Sequence, residues 1–504
     1  MADTKREIER KYEATPGVRL PDLTKAGIAR IEEAATTELD AVYHDTPDLR
    51  LAAHGITLRR RTGGADPGWH LKLPVAPGVR DEITTESADA LPGELADLVR
   101  SRTRGADLVP VVRLLSSRDV HRLLDEDGTE LAELSRDTVV AERLHGRRAT
   151  AQWDEIEVEL AEDTDPALLD AVDKRLRKAG LHRAAAPSKL ARALAETGAA
   201  PAPSPRPGTP RTAGDHVLAY LHEQAEALLS HDPGVRRDLP DAVHQMRVAT
   251  RRLRSALRTY RKILDREATR PLVDELKWLA GELGAARDQE VLAHRLRARV
   301  AELPGTLVLG PVEARLTAWA VSGDTDTRTT ALAALDGERY LRLLDALDAL
   351  LADPPLRKAA RTDPEAALPD AVLREYGRVA DRVEHALDLA PSTERDTALH
   401  EARKAAKRAR YAAEAATPAL GRPARRFAKR MKAVQKVLGD HQDSVVARDT
   451  VRGLAVAADA AGEPSFTWGL LYGHEEARAA ARETELPEVW SRAADPGLRA
   501  ALRS

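Results

Sequence analysis

The sequence predicts an α+β protein in which a β-rich N-terminal part precedes an all-helical C-terminal part. Short alternating runs such as ITLRRR, WHLKL and WDEIEVEL fill the first part, whereas long Ala/Leu/Arg segments fill the second. Hydrophobic residues make up 43%, charged residues 32% and aromatic residues 3% of the 504 residues, which is typical of a globular and largely helical protein. A chain of this length divides into several domains.

A proline-rich stretch separates the two parts. Residues 197–214 contain five prolines and no apolar residue larger than alanine, so they cannot pack into a core. We therefore predict a first domain at 1–196, a linker at 197–211 and a second domain at 212–504.

The C-terminal part repeats itself. HQMRVATRRLR at 244–254 aligns with HEARKAAKRAR at 400–410, and LKWLAGELGAARDQEVL at 276–292 aligns with MKAVQKVLGDHQDSVVA at 431–447. The second alignment pairs Gly284 with Gly439 and Asp288 with Asp443. Because both blocks match at nearly the same offset, we predict two related helical halves, at about 212–350 and 366–504.

Several classes of protein are excluded by composition. The chain has no cysteine, which excludes disulfides, thiolate metal sites and a cysteine nucleophile. Its N-terminal residues have no apolar segment of signal-peptide length, and no later stretch approaches the ~18 apolar residues of a membrane span. We expect a cytoplasmic protein that does not contact a membrane.

Carboxylates recur at every second residue in two predicted strands. Glu7, Glu9 and Lys11 share one strand face, and a second strand repeats the pattern with its own row, Glu155, Glu157 and Glu159. Either row alone also fits a solvent-exposed strand face. Oxygen-rich rows of this kind suit hard divalent ions such as Mg²⁺ or Mn²⁺.

Other alternating runs carry cations, namely Arg59 and Arg61, Lys72, Arg80 and Arg113. If these strands close into a barrel, the interior mixes carboxylates with arginine and lysine and cannot be an apolar core. Arginine and lysine clamp phosphate oxygens, and metal ions bridge phosphate to carboxylates, so the pattern predicts a site for a phosphate-rich anion. The outward apolar residues, which we expect helices to cover, are Ile56, Leu58, Leu71, Leu73, Ile156 and Val158.

The ordered series E-x-E-x-K, YHDT, GITLRRR, HLKLP, R-x-E, DEIEVEL and SKLARAL resembles the CYTH domain, the triphosphate tunnel metalloenzyme fold, over about residues 3–196. The resemblance implies an eight-stranded antiparallel β tunnel with flanking helices. It implies Mg²⁺ or Mn²⁺ held by Glu7, Glu9 and the row at 155–159, with the choice among the late glutamates open. It implies catalysis by Glu7, Glu9 and Lys11, and a triphosphate held by Lys11, Arg59, Arg61, Lys72, Arg80, Arg113 and Lys189.

The helical part carries stripes of positive charge. His244, Arg247, Arg251, Arg254 and Arg258 advance by three or four residues and therefore share one helix face, and Arg425, Lys429, Lys432 and Lys436 repeat that spacing. A charge run of this kind is usually a solvated helix face. Solvated helices, however, normally intersperse glutamate to form i, i+4 pairs, and these stripes omit it, so an anionic partner is favoured.

The repeated H-x-x-R-x-x-x-[RK]-R-x-R and L-G-x-x-x-D blocks resemble the CHAD domain, a conserved-histidine α-helical module, over roughly residues 212–500. The resemblance implies two pseudo-symmetric four-helix bundles whose basic residues bind inorganic polyphosphate. The residues implied are His244, Arg247, Arg251, Arg254, His400, Arg403, Lys407, Arg410, Lys432 and His441, and the stripe alone adds Arg425, Lys429 and Lys436. Neighbouring cations disfavour a metal at the histidines, and the lack of a helix-turn-helix pattern disfavours nucleic acid.

The two parts together predict a Mg²⁺-dependent hydrolase of inorganic triphosphate that also binds polyphosphate, in the cytoplasm or at polyphosphate granules. One alternative is a non-catalytic polyphosphate-binding or granule-targeting protein. A further alternative is a class IV adenylate cyclase or a thiamine triphosphatase, because the resemblance does not select the substrate.

Overall fold

A computed structural model describes residues 3–14, 20–86, 88–199, 201 and 208–503, excluding the side chains of 285–288, 290 and 322–327. The chain forms two compact units, Met1–Ser204 and Pro205–Ser504. Part of the proline-rich segment, residues 200 and 202–207, lies outside the described residues.

The first unit combines strands with short helices. Its strands are β1 (Asp3–Ala14), β2 (Arg30–Glu33), β3 (Thr37–Asp45), β4 (Thr57–Thr62), β5 (Gly68–Ala76), β6 (Val79–Thr85), β7 (Val109–Leu124), β8 (Glu130–Arg143), β9 (Thr150–Leu160) and β10 (His182–Arg183). Its helices are α1 (Arg50–Ala53), α2 (Gly93–Thr103), α3 (Ala167–Lys178) and α4 (Lys189–Glu196), with a 3₁₀ turn at Thr24–Ala26.

Eight of these strands close into an antiparallel barrel. The order around the ring is β1-β6-β5-β4-β3-β7-β8-β9, and β9 returns to β1 in a register that places Glu9 opposite Glu159. The remaining strands pair outside the ring, β2 with β7 and β10 with β1. The predicted eight-stranded antiparallel tunnel is therefore confirmed.

Helices cover the outer face of the barrel, as predicted. Ile56, Leu58, Leu71 and Leu73 are buried in one apolar cluster with residues of α1 and α2. Ile156 and Val158 are buried in a second cluster with residues of α3. These two apolar clusters stabilise the barrel from its outer face. Its interior therefore does not have to supply an apolar core and can hold charged side chains.

Helix α4 closes one end of the barrel. Its Leu190 and Leu194 pack against Tyr43, Leu114 and Trp153, whose side chains point to the inside of the ring. The end of the interior beside α4 is therefore apolar and filled, whereas the rest of the interior is polar and open.

Apart from connecting turns and one isolated β-bridge between Leu264 and Leu356, the described residues of the second unit form helices. Its α-helices are α5 (Ala213–Arg236), α6 (Ala242–Thr259), α7 (Arg266–Glu282), α8 (Gly284–Ala301), α9 (Val312–Asp336), α10 (Glu338–Ala352), α11 (Pro364–Asp388), α12 (Thr393–Leu420), α13 (Arg422–Ala460), α14 (Phe466–Ala493) and α15 (Pro496–Ala500). Two 3₁₀ turns lie at Gly305–Leu307 and Lys358–Arg361.

The internal repeat of the sequence is visible in the order of the helices. Helices α5, α6 and α9 correspond to α11, α12 and α14, and the single helix α13 corresponds to α7 and α8, which meet at Leu283 and Gly284. One large apolar core draws on α5 to α7 and on α11 to α13, and a smaller core draws on α8, α9, α13 and α14. Both cores therefore combine helices from the two repeats. Within the described part of the chain, no helix has the length and apolar character needed to cross a bilayer.

Candidate functional site

The barrel encloses a highly charged cavity of about 400 Å³, which we call the tunnel. Among the described residues, its carboxylates are Asp3, Glu7, Glu9, Asp66, Glu82, Glu130, Glu133, Glu157 and Glu159. Its cations are Lys5, Lys11, Arg59, Arg61, Lys72, Arg80, Arg118 and Lys189. Nine acidic and eight basic side chains therefore line one small space.

The first strand supplies the predicted row of alternating charges. Glu7 is buried and accepts a hydrogen bond from Lys72 Nζ at 2.6 Å, and Glu9 accepts one from Lys11 Nζ at 2.8 Å. Lys11 also pairs with Glu157 across the β1–β9 interface. The alternation of a strand thus brings the predicted residues of β1 and β9 to one wall.

Lys189 enters the tunnel from the first turn of α4. The Ser188 hydroxyl accepts a hydrogen bond from the backbone N–H of Ala191, which caps the helix and fixes its start. The ammonium group then lies 2.9 Å from Asp137, 2.8 Å from Glu155 and 2.6 Å from Glu157. Burial opposes its charge, but Asp137 and the two glutamates raise the pKa of Lys189 well above its usual value.

The predicted arginines of β4 and β6 line the cavity. Arg59 lies 3.6 Å from Glu82, and Arg80 donates a hydrogen bond of 2.7 Å to the carbonyl of Pro187. Arg61 contacts Asp66, the acidic residue of the β4–β5 connection. Burial and the neighbouring Arg59 lower the pKa of Arg61 to about 10, so this charge has less compensation than the others.

Arg113 does not face the tunnel, contrary to the sequence prediction. It is partly exposed on the outside of β7, where its Nε donates a hydrogen bond of 2.9 Å to Asp40 on β3. Arg118, five residues later and therefore on the opposite face of the same strand, lines the tunnel instead. It donates hydrogen bonds to Asp137 at 2.7 Å and to Glu157 at 3.1 Å.

Sequence reasoning also missed other charged residues of the tunnel. Lys5 pairs with Glu159 at 2.5 Å, and Glu82 accepts a hydrogen bond from the His70 ring at 2.9 Å. Burial by itself would raise the pKa of Glu82, but Lys72, His70 and Arg59 hold it well below its usual range. The alternation in β1 could have indicated Lys5, because Lys5 precedes Glu7 by two residues.

Asp137 was missed although its strand carries a usable signal. It follows Glu133 and Ser135 at spacing two on β8, and Glu133 also lines the tunnel. Asp137 is fully buried between Lys189 and Arg118. The polar alternation at 133, 135 and 137 marks the inner face of β8.

Two groups of carboxylates in the barrel have the chemistry to hold a divalent metal ion. The Oε2 atom of Glu7 is buried without a hydrogen-bond partner, and burial, opposed by Lys72 and reinforced by Glu82, raises the pKa of Glu7 to about 7. A cation beside Glu7 would relieve this shortage of positive charge. Asp137, Glu155 and Glu157 form the other group, with ligand oxygens within 4.8 Å of one another.

The predicted metal ligands therefore have different surroundings. Glu7 and Glu9 face the open tunnel, and Glu159 lies nearer solvent beside Lys5. Glu155 and Glu157 already surround the Lys189 ammonium. The carboxylate oxygens of these residues suit a hard divalent ion. The Oε2 atom of Glu7, which has no hydrogen-bond partner, is the place where such an ion would supply missing positive charge.

In the helical unit, Arg247, Arg251, Arg403 and Lys407 form what we call the central basic cluster. Burial lowers the pKa of Lys407 to about 7, and the positive charges of Arg403, Arg251 and Arg247 add to this effect. Asp443 acts in the opposite direction. The cluster contains two residues of α6 and the two equivalent residues of α12. Both halves of the repeat therefore contribute to it equally.

The glycines of the repeated L-G block have a structural role beside this cluster. Arg247 donates a hydrogen bond of 3.0 Å to the carbonyl of Gly284, and a Cβ there would lie 3.5 Å from its Nη2 atom. At the equivalent place, a Cβ on Gly439 would lie 3.6 Å from Arg403 Nε. The two arginines thus lie against helix backbone. The side chain of Asp288, aligned with Asp443, lies outside the described residues.

The predicted arginines at 254 and 410 are equivalent in the repeat but have different neighbours. Burial and the charges of Arg258, Arg251 and Arg408 lower the pKa of Arg254. Arg410 instead pairs with Glu414 at 3.2 Å and lies over the Tyr411 ring at 4.7 Å. One equivalent arginine therefore has cationic neighbours and the other has an acidic partner.

His441 is not part of the basic surface, which corrects the prediction for this residue. Its buried Nε2 atom lies 3.3 Å from Asp396 and 3.2 Å from Glu483. Each carboxylate also pairs with an arginine, Asp396 with Arg448 at 3.0 Å and Glu483 with Arg395 at 3.2 Å. His441 belongs to a network of polar contacts between helices, because its buried side chain faces Asp396 on α12 and Glu483 on α14.

The remaining predicted residues of the helical unit are more exposed. His244 and His400 are half-buried on α6 and α12, and burial with the nearby Lys404 lowers the pKa of His400. The stripe residues Arg425, Lys429, Lys432 and Lys436 are all exposed along α13. The structure places this stripe on a solvent-facing side of α13.

Comparison with known proteins matches both units. A CYTH domain model matches residues 5–194, and a CHAD domain model matches residues 219–452. "Uncharacterized protein MT2285" from Mycobacterium tuberculosis (strain CDC 1551 / Oshkosh) is 41% identical over 514 residues, which cover 98% of this chain and 97% of that protein.

Two solved structures show similarity to part of the chain. PptA from Streptomyces chartreusis is 25% identical with a TM-score of 0.48, covering 56% of this chain and 100% of that chain. The CHAD domain from the plant Ricinus communis is 25% identical with a TM-score of 0.44, covering 58% of this chain and 92% of that chain. On its domain matches and its full-length relative, the chain belongs to the CYTH-CHAD proteins.

Proposed function

We propose that the tunnel hydrolyses inorganic triphosphate in the presence of Mg²⁺ or Mn²⁺, and that the helical unit binds inorganic polyphosphate. One observation carries the first part of the proposal: among the described residues, nine carboxylates and eight cations line a cavity of about 400 Å³. A small anion with many oxygens satisfies the cations directly, and a metal ion joins it to the carboxylates.

The cations of the tunnel are arranged to hold such an anion. Arg59, Arg61, Lys72, Arg80 and Arg118 surround the space and supply forked or point-charge donors to phosphate oxygens. The reduced pKa of Arg61 indicates a charge that gains from an anionic partner. These donors stabilise the negative charge that develops on the transferred phosphoryl group and on the leaving diphosphate.

The carboxylates and the barrel wall complete the site. A bound divalent ion would neutralise phosphate charge and lower the pKa of water, with Glu7, Glu9 and Glu159 as its available oxygen donors. The row of β1 keeps Lys11 beside Glu9 at 2.8 Å, which fixes both groups at the wall. Helix α4 blocks one end of the barrel with apolar side chains, which limits the access of bulk water from that side.

Phosphate release from tripolyphosphate, ATP and thiamine triphosphate, each with Mg²⁺ and with a chelator, tests this function. We expect release from tripolyphosphate that requires the metal. Predominant release from thiamine triphosphate would select that substrate, and cyclic AMP formed from ATP would select a cyclase. No release from any of the three would favour a non-catalytic phosphate-binding protein.

A matched pair of variants separates the site from the fold. Glu9→Gln removes a tunnel carboxylate, whereas Glu13→Gln changes an exposed glutamate on the same strand. We expect Glu9→Gln to lower metal-dependent turnover by about 100-fold or more, and Glu13→Gln to retain it. Equal activity of the two variants would contradict the assignment of the tunnel.

The second part of the proposal rests on the central basic cluster. Four cations on α6 and α12 lie close enough for three of them to lower the pKa of the fourth, Lys407. A polyphosphate chain would relieve this repulsion, and its binding should weaken steeply as salt increases. Binding of long-chain polyphosphate to the full-length protein, measured over a salt series with Arg251→Ser/Lys407→Ser as the test variant, checks this part.

A further inference from the structure

A second charged cavity lies in the helical unit, among α6, α7, α11 and α12. It has a volume of about 640 Å³, and we call it the basic cavity. The cations that line it are Arg254, Arg258, Arg261, Arg266, Arg270, Lys277, Arg378, Arg382, Lys404 and Arg408. Of these, Arg254 and Arg258 belong to the basic stripe predicted on α6, and the other eight lie outside both predicted stripes.

The acidic residues of the lining do not balance these charges. Glu375, Glu401 and Asp274 are the carboxylates among the described lining residues, which leaves an excess of seven positive charges. Glu375 is buried and pairs with Arg378 and Arg408, and Glu401 pairs with Lys404 at 2.7 Å. The excess therefore lies mainly with the arginines contributed by α6 and α7.

Concentrated like charge is unfavourable unless an anion compensates it. Burial and the neighbouring Arg258, Arg251 and Arg408 lower the pKa of Arg254. Burial also lowers the pKa of Arg408, where Glu375 opposes the effect and Arg382 and Arg258 add to it. Arginine still remains protonated at neutral pH. The lining thus carries fixed positive charges that repel one another in a partly enclosed space.

The basic cavity is not repeated on the other half of the unit. By the offset of 156 that aligns α6 with α12, Arg252 corresponds to Arg408 and Glu414 corresponds to Arg258. Arg252 and Glu414 line a smaller cavity of about 230 Å³ together with His216, Tyr220 and Glu223. There Arg252 pairs with Glu414 at 3.1 Å, so the charge excess is a property of one side only among the described residues.

We propose that the basic cavity binds a compact ligand that carries several phosphate groups, at a site separate from the central basic cluster. A volume of about 640 Å³ lies in the range of small-molecule sites. Leu257 and Val273 are the apolar side chains in the described lining, so recognition depends on phosphate groups and not on a base or a lipid chain. A condensed phosphate and a phosphorylated polyol both present this chemistry.

The test uses the full-length protein and two probes, cyclic hexametaphosphate and inositol hexakisphosphate, titrated by calorimetry. Arg261→Ser/Arg382→Ser removes two cations from the lining, and Arg258→Ser/Arg270→Ser is a second pair for the case in which the first does not fold. Lys262→Ser/Lys358→Ser removes the same charge from exposed positions that do not line the cavity. Because all variants keep the same tunnel, their differences report on the helical unit.

We expect the lining variants to bind at least one probe about tenfold or more weaker than the control variant, as the loss of charge-assisted hydrogen bonds requires. Weakening for hexametaphosphate alone indicates a condensed phosphate, and weakening for inositol hexakisphosphate indicates a phosphorylated polyol. Equal binding by lining and control variants would overturn the inference.

The same titrations separate this inference from the proposed polyphosphate binding. Arg251→Ser/Lys407→Ser changes the central basic cluster and keeps every residue that lines the basic cavity. We expect this variant to lose affinity for long-chain polyphosphate while it still binds the compact probe. Unchanged binding of long-chain polyphosphate by this variant would contradict the role of the central basic cluster but not that of the basic cavity. Loss of compact-probe binding in this variant, with binding retained in the lining variants, would refute a separate site.

Discussion

The Nζ atom of Lys189 lies 2.6 Å from Glu157 in the tunnel, although the two residues belong to a helix and a strand that are distant in the chain. The same ammonium contacts Asp137 and Glu155, so one cation lies in contact with three buried carboxylates. The contact joins the apolar cap of the barrel to its charged interior.

Lys189→Met should destabilise the first unit strongly. Its removal leaves the buried carboxylates one cation short, and breaking a buried ion pair costs about 3–5 kcal/mol in the free energy of unfolding. Urea denaturation checks this value, with Lys178→Met on the exposed side of α3 as the control. A cost no larger than that of the control would contradict the role of Lys189 as the compensating cation.

Arg118 and Arg113 should differ in their effect on turnover. Arg118 lines the tunnel and contacts Glu157, whereas Arg113 lies partly exposed on the outer face and pairs with Asp40. We expect Arg118→Ser to lower kcat/KM for tripolyphosphate by about 100-fold and Arg113→Ser to change it by less than about twofold. Steady-state kinetics of both variants check the assignment, and the reverse order would show that the strand faces are wrongly assigned.

Polyphosphate binding should depend on pH through Lys407. Burial and the nearby arginines lower its pKa to about 7, and a bound polyanion would favour the protonated form. Binding at pH 8 should therefore take up protons, and affinity should fall as the pH rises above about 7. Calorimetry in buffers with different ionisation enthalpies measures the uptake, and Lys407→Arg should abolish it because arginine stays charged.

Lys407 should also make stability depend on pH in the absence of ligand. Its pKa of about 7 in the folded protein lies below the reference value of 10.5, so the unfolded chain binds more protons between these values. Stability consequently rises with pH across this window, and the Lys407 contribution is constant below it. Thermal unfolding of the wild type and of Lys407→Met from pH 6.5 to 9.5 checks the sign, since the variant should show a smaller rise.

His441→Gln should leave polyphosphate affinity within about twofold of the wild type. The histidine lies between Asp396 and Glu483 and is buried, so it offers no donor to a surface anion. Arg403→Ser, which changes the central basic cluster, should weaken binding about tenfold or more. A large loss of polyphosphate affinity in the folded His441→Gln protein would show that His441 does belong to the binding surface.

Several features could be predicted because a local pattern determines them. The alternation of β1 and β9 identified Glu7, Glu9, Lys11 and Glu157 as tunnel residues, since a strand has only two faces. Some strands have apolar inward residues at one end and charged inward residues at the other. For such a strand, alternation of charged and apolar residues does not show which face points inward. On β7 this change occurs between Leu114 and Arg118, and it led the prediction to Arg113.

The helical part shows a similar division. Spacing of three and four residues identified the arginines of α6 and α12, and the repeat identified their equivalence. Spacing does not show what lies opposite each residue. Glu414 compensates Arg252 on one side, while the arginines of α6 and α7 accumulate charge on the other.

The order of charged and apolar residues along the chain was enough to define a charged barrel followed by a duplicated helical unit, because short-range periodicity and repeats are properties of the chain itself. Tertiary packing decided which cation compensates which carboxylate, which arginine points outward, and where positive charge remains in excess. These outcomes depend on distances between residues far apart in sequence, and charge interactions change steeply with distance and burial.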